Sequence, residues 1–321
     1  MLRYLERKQT KIQVWDPNDH FHLKHAVWID LLSPTKVEEQ LLETQLGFNL
    51  PTRADMIEIE VSSRLYSEND AYFMTVTMIA HPDSMEAVLD PITFVLTKHQ
   101  LITIRYVEPQ SFKSFDVQAE KLAPDHRDPL FLLIGLLDAS VDKLADSLEL
   151  VGHRLDAYSQ TIFNKTENSE KNNYQKLMQQ MGSIADLNTK ARESLVTFRR
   201  LLTFFSATVD PKLNKEKNSH LSSLTADTVA LSDHASFLST KINFLLDATL
   251  GLVNIDQNNV IKILSVAAVI FLPPTLIASI YGMNFEKMPE LSWKYGYLFT
   301  LSLMLLSTWL PYKYFKYRKW F

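Results

Sequence analysis

The chain has 321 residues, 46% of them hydrophobic, and a formal net charge of −4 at pH 7, a length that favours two domains or more. It contains no cysteine, which excludes disulfides and thiolate metal sites. The charge is uneven: from Lys262 onwards there are seven basic and two acidic residues, whereas the preceding 261 residues carry 26 and 35. An acidic soluble part argues against nucleic acid as a partner and suits cations.

Residues 1–125 have the pattern of a cytoplasmic α/β domain. Strands are predicted at residues 11–15, 26–31, 71–80, 92–97 and 101–107. A helix is predicted to begin near Thr35 and to end at Gly47. The alternation of apolar and polar residues along the strands predicts a sheet with one face covered by helices.

Residues 126–208 have a heptad pattern. Apolar residues recur at spacings of four and three from Leu130 to Ile162, and again from Tyr174 to Phe205. Such seams are typical of coiled-coil packing. Because a short polar segment connects the two seams, we predict an antiparallel helical hairpin.

A third helix, predicted over residues 217–282, carries two seams. One is apolar, from Leu221 to Leu252, and matches the preceding hairpin. The other is small and polar, repeats at about 3.5 residues on one face, and is called the polar stripe below. The members predicted to line a pore are Asp247, Gly251, Asn254, Asn258, Ile261, Ser265, Ala268, Leu272 and Thr275, and the stripe continues to Ser279 and Gly282.

The polar stripe has no partner within one chain, so it predicts several copies around a symmetry axis. Its polar residues would then line a pore, and Ile261, Ala268 and Leu272 would form an apolar constriction that gates by dewetting. The alternative is close packing between membrane helices, which small residues also permit.

The end of the chain is predicted to lie in a membrane. Residues 263–282 form an apolar run that crosses about 30 Å of hydrocarbon as a helix. A loop at 283–294 leads to a second span at 295–312, followed by a basic tail at 313–321. By the positive-inside rule both termini lie in the cytoplasm. The predicted fold is thus an α/β domain plus long coiled-coil-like helices that continue into two transmembrane helices.

Short motifs surround the end of the first span. Residues 281–285 read YGMNF, preceded by FLPPTLIAS and followed by MPEL. With the order of segments along almost the whole chain, these motifs resemble the CorA family of magnesium and cobalt channels. The resemblance implies a homo-oligomer, a pentamer, in the inner cell membrane, with Gly282, Met283 and Asn284 as the selectivity filter at the pore mouth.

The chemistry of the Gly-Met-Asn triplet suits that role. A helix that ends on the axis turns its last carbonyl groups and its negative dipole end towards a cation. Asn284 adds a neutral oxygen, which suits Mg²⁺ because this ion usually keeps several waters. Glu286 and Glu290 either attract cations to the mouth or are solvated loop acids. Gly282 is also expected as the left-handed residue that ends the helix.

In the family, the transported Mg²⁺ also binds between the soluble domains of neighbouring subunits and holds the pore closed. The resemblance therefore predicts a regulatory Mg²⁺ site made of carboxylates. The candidates are Asp227 and Asp233 on the third helix and Asp83, Glu86 and Asp90 in the α/β domain. Ordinary solvated acids are the alternative for each.

With this resemblance, the sequence predicts a Mg²⁺ channel with Co²⁺ and Ni²⁺ as secondary ions. The predicted partners are the lipid bilayer, divalent cations and other copies of the chain. The alternatives are a zinc transporter of the related branch and a membrane-anchored coiled-coil sensor without transport. An enzyme is not expected, because the sequence has no Gly-rich phosphate loop, HExxH or nucleophile elbow. His20, His22 and His25 are a weak metal candidate. The acids Asp138, Asp142, Asp146 and Glu149 are predicted to form a solvated helix face.

Overall fold

The computed structural model describes residues 1–7, 9, 11–16, 25–58, 60–82, 87–123, 127–163, 174–208, 215–283, 288–289 and 293–318. The chain divides into two compact units, Met1–Leu246 and Asp247–Phe321. Each unit is described by itself.

The first unit contains a seven-stranded sheet with the order β2-β1-β3-β7-β6-β5-β4. The strands are β1 (Leu2–Glu6), β2 (Gln13–Val14), β3 (Ala26–Leu32), β4 (Leu65–Glu68), β5 (Ala71–Ala80), β6 (Val88–Leu96) and β7 (Leu101–Arg105). Strands β3 and β7 are parallel, and the other neighbours are antiparallel. The sequence pattern missed β1 and β4, which are short and only partly buried.

Helices cover this sheet. They are α1 (Lys36–Leu46), α2 (Arg53–Ile57), α3 (Val61–Arg64), α4 (Gln110–Lys121), α5 (Pro129–Phe163) and α6 (Tyr174–Thr208). Helix α1 begins with a capping box between Thr35 and Glu38 and ends at Gly47, whose φ is 81°. This left-handed conformation favours glycine, so the predicted start and end of α1 are confirmed.

Helices cover both faces of the sheet, so the expectation of a single covered face is wrong. On one face Leu42 of α1 joins a core with Phe73 and Ile102. On the other, the Trp28 ring lies 5.4 Å from that of Phe115 in α4. Helix α6 contacts β5, where Ser194 Oγ donates to the Thr77 carbonyl at 2.6 Å. The reason is that polar strand residues are buried as well, so polarity does not mark an exposed face: Thr75 and Thr93 are buried, and their hydroxyls share a 2.8 Å hydrogen bond.

A buried ionic network crosses three adjacent strands. Asp30 of β3 accepts hydrogen bonds from Arg105 Nε at 3.0 Å, Thr103 Oγ1 at 2.7 Å and Arg3 Nη2 at 2.6 Å. Burial alone would raise the pKa of Asp30, but the facing guanidinium groups hold that pKa below its ordinary value. The carboxylate therefore stays charged, and its charge is compensated by Arg105 and Arg3.

The long helices follow the sheet. The seams of α5 and α6 are buried, including Leu137, Val151, Met181 and Phe198. Helix α7 (Lys215–Tyr281) begins in the first unit and extends into the second, which also contains α8 (Gly296–Tyr317). Within the described residues, one helical stretch, Asn218–Tyr281, is long and apolar enough to cross a membrane. Helix α8 covers the second predicted span, which stays a prediction.

Candidate functional site

Helix α7 uses one face to pack against the hairpin. Its apolar seam is buried at Leu221, Leu224, Ala235, Leu238, Ile242 and Leu245. The Asn188 side-chain nitrogen on α6 donates to the Ala235 carbonyl at 3.0 Å and to Ser239 Oγ at 2.8 Å. The first half of α7 is therefore fixed to its own chain by one face.

The polar stripe occupies a face of α7 that the described residues of the chain leave exposed. All nine predicted residues, from Asp247 to Thr275, are exposed. Exposure alone does not distinguish them, because apolar residues around the rest of the span, such as Ile263 and Phe271, are exposed as well. What distinguishes the stripe is its small and polar composition on one helical face.

Thr275 lies in a part of the stripe where two prolines alter the helical hydrogen bonding. Its hydroxyl donates to the Phe271 carbonyl at 2.7 Å, and a donating hydroxyl still accepts hydrogen bonds. Pro273 and Pro274 lie inside α7 without ending it. Because proline has no N–H, the carbonyls of Val269 and Ile270 lose their usual helical partners. Oxygen atoms are therefore available for hydration near the middle of the span.

The end of α7 differs in one respect from expectation. The Gly282 N–H donates to the Ala278 carbonyl at 2.9 Å and the Met283 N–H to the Ile280 carbonyl at 3.2 Å. Among the described glycines, only Gly47 has a positive φ, so the left-handed conformation expected at Gly282 is wrong. The helical hydrogen bonding simply continues one residue past Tyr281. A Cβ at Gly282 would lie 3.2 Å from the Ala278 oxygen.

Several predicted site residues lie outside the described part of the chain. These are Asn284, Glu286 and Glu290 at the mouth, Asp83 and Glu86 among the regulatory acids, and His20 and His22.

The described regulatory candidates lie in different surroundings. Asp90 Oδ1 is 3.6 Å from Arg53 Nη2; burial raises the pKa of Asp90, and Arg53 opposes the shift. Asp227 and Asp233 are exposed on α7. In the described residues, no group of three or more acids or histidines is arranged to hold a metal ion within one chain.

Asp227 of α7 lies near the acidic face of α5, which the sequence predicted to contact only solvent. Partial burial raises the pKa of Asp142 on α5, and so do the negative charges of Asp138, Asp146 and Asp227. Like charges from two helices therefore act on one carboxylate. The sequence spacing shows the acids of α5, but it gives no signal that α7 adds another.

Comparison with known proteins gives one consistent answer. The family described as CorA-like Mg2+ transporter protein matches residues 24–318. The magnesium transport protein CorA of Yersinia pseudotuberculosis is 32% identical over the full length of both chains, and that of Escherichia coli K12 is 31% identical, also over both full lengths. The complete structure of the CorA magnesium transporter from Methanocaldococcus jannaschii superposes with a TM-score of 0.73, 20% identity, and coverage of 97% of this chain and 96% of that one.

Proposed function

The chain belongs to the CorA family of Mg²⁺ transporters, and from this premise we propose that it conducts Mg²⁺ across the inner cell membrane. The conducting form is a homo-oligomer, a pentamer, in which the α7 helices surround the ion path. Co²⁺ and Ni²⁺ are secondary ions. Both termini lie in the cytoplasm, since the basic residues Lys313, Lys316 and Arg318 follow the second span.

The observation that carries the proposal is the exposed polar stripe on a helix whose opposite seam is already packed. Asn254, Asn258 and Thr275 offer neutral oxygen atoms on a face that one chain leaves open. Neutral oxygens hydrogen-bond the waters of a hydrated Mg²⁺ without stripping them, which suits an ion that dehydrates reluctantly. Apolar side chains at Ile261 and Leu272 narrow the same face and stop hydrated ions when the helices close.

At the mouth, Gly282, Met283 and Asn284 form the selectivity filter. The end of α7 supplies the negative end of its dipole, which favours a cation. The Asn284 amide oxygen adds a neutral ligand for the ion's water shell, and Glu286 and Glu290 raise the local cation concentration.

Flux into liposomes tests this function. Purified protein is reconstituted with an internal Mg²⁺-sensitive dye, and Asn284→Ala and Gly282→Ala are expected to abolish uptake while leaving the protein in the membrane. Matched controls are Asn243→Ala on the exposed surface of α7 and Gly182→Ala on α6, where an added Cβ meets nothing within 4 Å. Full uptake by both filter variants would remove the triplet from the mechanism. A Zn²⁺-sensitive dye in parallel vesicles tests the zinc alternative.

Control by internal Mg²⁺ is the second part of the proposal. A divalent cation bridging carboxylates of neighbouring subunits relieves their repulsion and stabilises the closed state. The acids are Asp227 and Asp233 of one subunit and Asp83, Glu86 and Asp90 of another. The double variant Asp227→Ala with Asp233→Ala should need more Mg²⁺ for protection from protease and should stay open at high internal Mg²⁺. Unchanged protection and unchanged flux would place the sensor elsewhere.

A further inference from the structure

A cationic groove lies on the first unit, between α3, β4 and the last turns of α6. It is open, has a volume of about 350 Å³, and is lined by Ser62, Leu65, Arg199, Arg200, Thr203 and Phe204. A smaller cavity shares Leu65 and Arg200 with it and adds Arg64. We call the combined surface the arginine groove.

The arginine groove gathers positive charge on the acidic part of the chain. Arg199 and Arg200 are exposed neighbours on α6, and within the described residues neither has an ion pair with a carboxylate. Arg64 donates to the backbone carbonyls of Ile57 and Glu58. Partial burial lowers the pKa of Arg64, the charge of Glu193 opposes this shift, and the charge of Arg200 lowers the pKa further. Arg64 and Arg200 line the same smaller cavity, so their two positive charges lie close together.

The other polar groups at the floor of the groove are already hydrogen-bonded. Thr197 Oγ1 donates to the Ser194 carbonyl at 2.8 Å and accepts from the Thr77 N–H at 3.1 Å. Thr75 shares its hydroxyl with Thr93 at 2.8 Å. The open hydrogen-bonding capacity thus belongs mainly to guanidinium groups, which donate and never accept. A ligand here must be a strong acceptor with negative charge.

Size and shape narrow the class of anion. Guanidinium forks match phosphoryl oxygens in a bidentate manner and bind them more strongly than neutral acceptors. Arg199 and Arg200 line the space of about 350 Å³, and Arg64 lies in the adjoining cavity. This arrangement suits a chain of phosphoryl groups better than one phosphate. Leu65 and Phe204 are half-buried and add an apolar floor beside the cations, as in many small-molecule sites.

We propose that the arginine groove binds a polyphosphate anion, with phosphoryl oxygens on Arg199, Arg200 and Arg64. Two sources share this chemistry, a nucleotide and inorganic polyphosphate. In a nucleotide the base would lie over Leu65 and Phe204. The proposal does not depend on ion conduction, because it concerns a ligand of the first unit.

Equilibrium dialysis of the full-length protein in detergent, with labelled ATP or pyrophosphate, tests the proposal. The buffer contains EDTA and about 0.15 M salt, so that surface electrostatics are not exaggerated. We expect one saturable site per chain. Arg199→Gln and Arg200→Gln should each raise the Kd about tenfold, the effect of losing a charge-assisted hydrogen bond. Arg192→Gln, an exposed arginine of α6 outside the groove, is the matched control and should bind as the parent does.

The two probes separate the sources. If ATP binds more tightly than pyrophosphate, and this difference disappears in Phe204→Ala, the ligand is a nucleotide. If the two probes bind with equal affinity, the ligand is inorganic polyphosphate. Thermal unfolding of each variant is measured in parallel, and Arg200→Lys, which keeps the charge, replaces Arg200→Gln if that variant unfolds. A Kd weaker than about 1 mM for both probes, or equal weakening by Arg192→Gln, would overturn the proposal.

Discussion

The two halves of α7 contain similar residues in opposite surroundings. In the first half, Leu238 is 2% exposed and Leu245 is 1% exposed. In the second half, Ile263 is 64% and Leu272 is 65% exposed. The helix is continuous and both halves are rich in leucine and isoleucine, so the difference comes from what covers each half. The first half finds its partners within the chain, whereas few of the described residues cover the second half.

The described residues of one chain leave the second half of α7 largely exposed, so in the proposed assembly its cover comes from outside the chain. Burying apolar surface stabilises a protein by about 25 cal/mol per Å². Soluble monomers rarely expose contiguous apolar patches larger than a few hundred Å². In the proposed assembly the lipid bilayer covers the apolar side of this half. Other copies of the chain cover the polar stripe, which a bilayer would cover poorly.

The largest expected effect concerns those other copies. Single cysteines at Asn258→Cys and Thr275→Cys should cross-link almost completely between subunits, because in the proposed assembly the stripe faces the axis. The sequence has no cysteine of its own to confuse the result. Ile263→Cys, about half a helical turn from the stripe at Ile261, is the control and should cross-link little. Non-reducing gels measure the result, and a monodisperse monomer by light scattering would contradict the assembly.

A matched pair of truncations sharpens the comparison. Leu238→Ala removes a buried side chain and should lower the free energy of unfolding of the first unit by about 2–5 kcal/mol. Leu272→Ala should leave that free energy unchanged, yet it should increase Mg²⁺ flux because it widens the apolar constriction. Denaturant titration followed by circular dichroism gives the first quantity and liposome flux the second. Equal destabilisation by both variants would show that the halves do not differ.

The smallest expected effect concerns the acids between α5 and α7. The pKa of Asp142 is raised by burial and by its acidic neighbours, so its ionised form is penalised in the folded state as the pH rises past the ordinary range of aspartate. Asp142→Asn should therefore stabilise the Mg²⁺-free protein at neutral pH, by a few tenths of a kcal/mol because the site is screened. The gain should vanish below pH of about 4.

Asp156, also on α5, provides a control for which the expected change in stability has the opposite sign. Asp156 accepts a 2.6 Å hydrogen bond from Lys241, which lowers the pKa of Asp156. Its ionised form is favoured in the folded state, so Asp156→Asn should slightly destabilise the protein at neutral pH. Thermal melts at low salt measure both variants, and shifts of the same sign would mean that local charge does not determine them.

Much of the helical part was predictable because heptad spacing is a long-range repeat. The seams of α5 and α6 and the apolar seam of α7 are buried where the spacing placed them, for example at Val151, Phe198 and Leu238. Each seam repeats over many turns, so a few polar members, such as the buried Asn188, do not obscure the pattern. The Gly-Met-Asn triplet was found for another reason: it stands between a long apolar run and a recognisable loop motif.

The rest depends on contacts between distant segments, for which a single sequence has no repeat. Alternation suggested that one face of the sheet is exposed, but polar strand residues such as Thr75, Thr93 and Arg105 are buried. The arginine groove joins Arg64 of α3 to Arg199 and Arg200 of α6, more than 130 positions apart in the sequence. The conformation of Gly282 was predicted wrongly, since glycine permits a left-handed turn without requiring one.

The Asp30 network has a consequence for how the sheet chooses its alignment. Asp30 is paired directly with Arg3 of β1 and with Thr103 of β7, so a single carboxylate reads the position of both neighbouring strands. If the alignment slipped by one residue, Asp30 would lie on the face opposite its partners. The buried charges would then be unpaired, which destabilises the fold by several kcal/mol. The network therefore favours the native alignment of β1, β3 and β7 over alignments shifted by one residue.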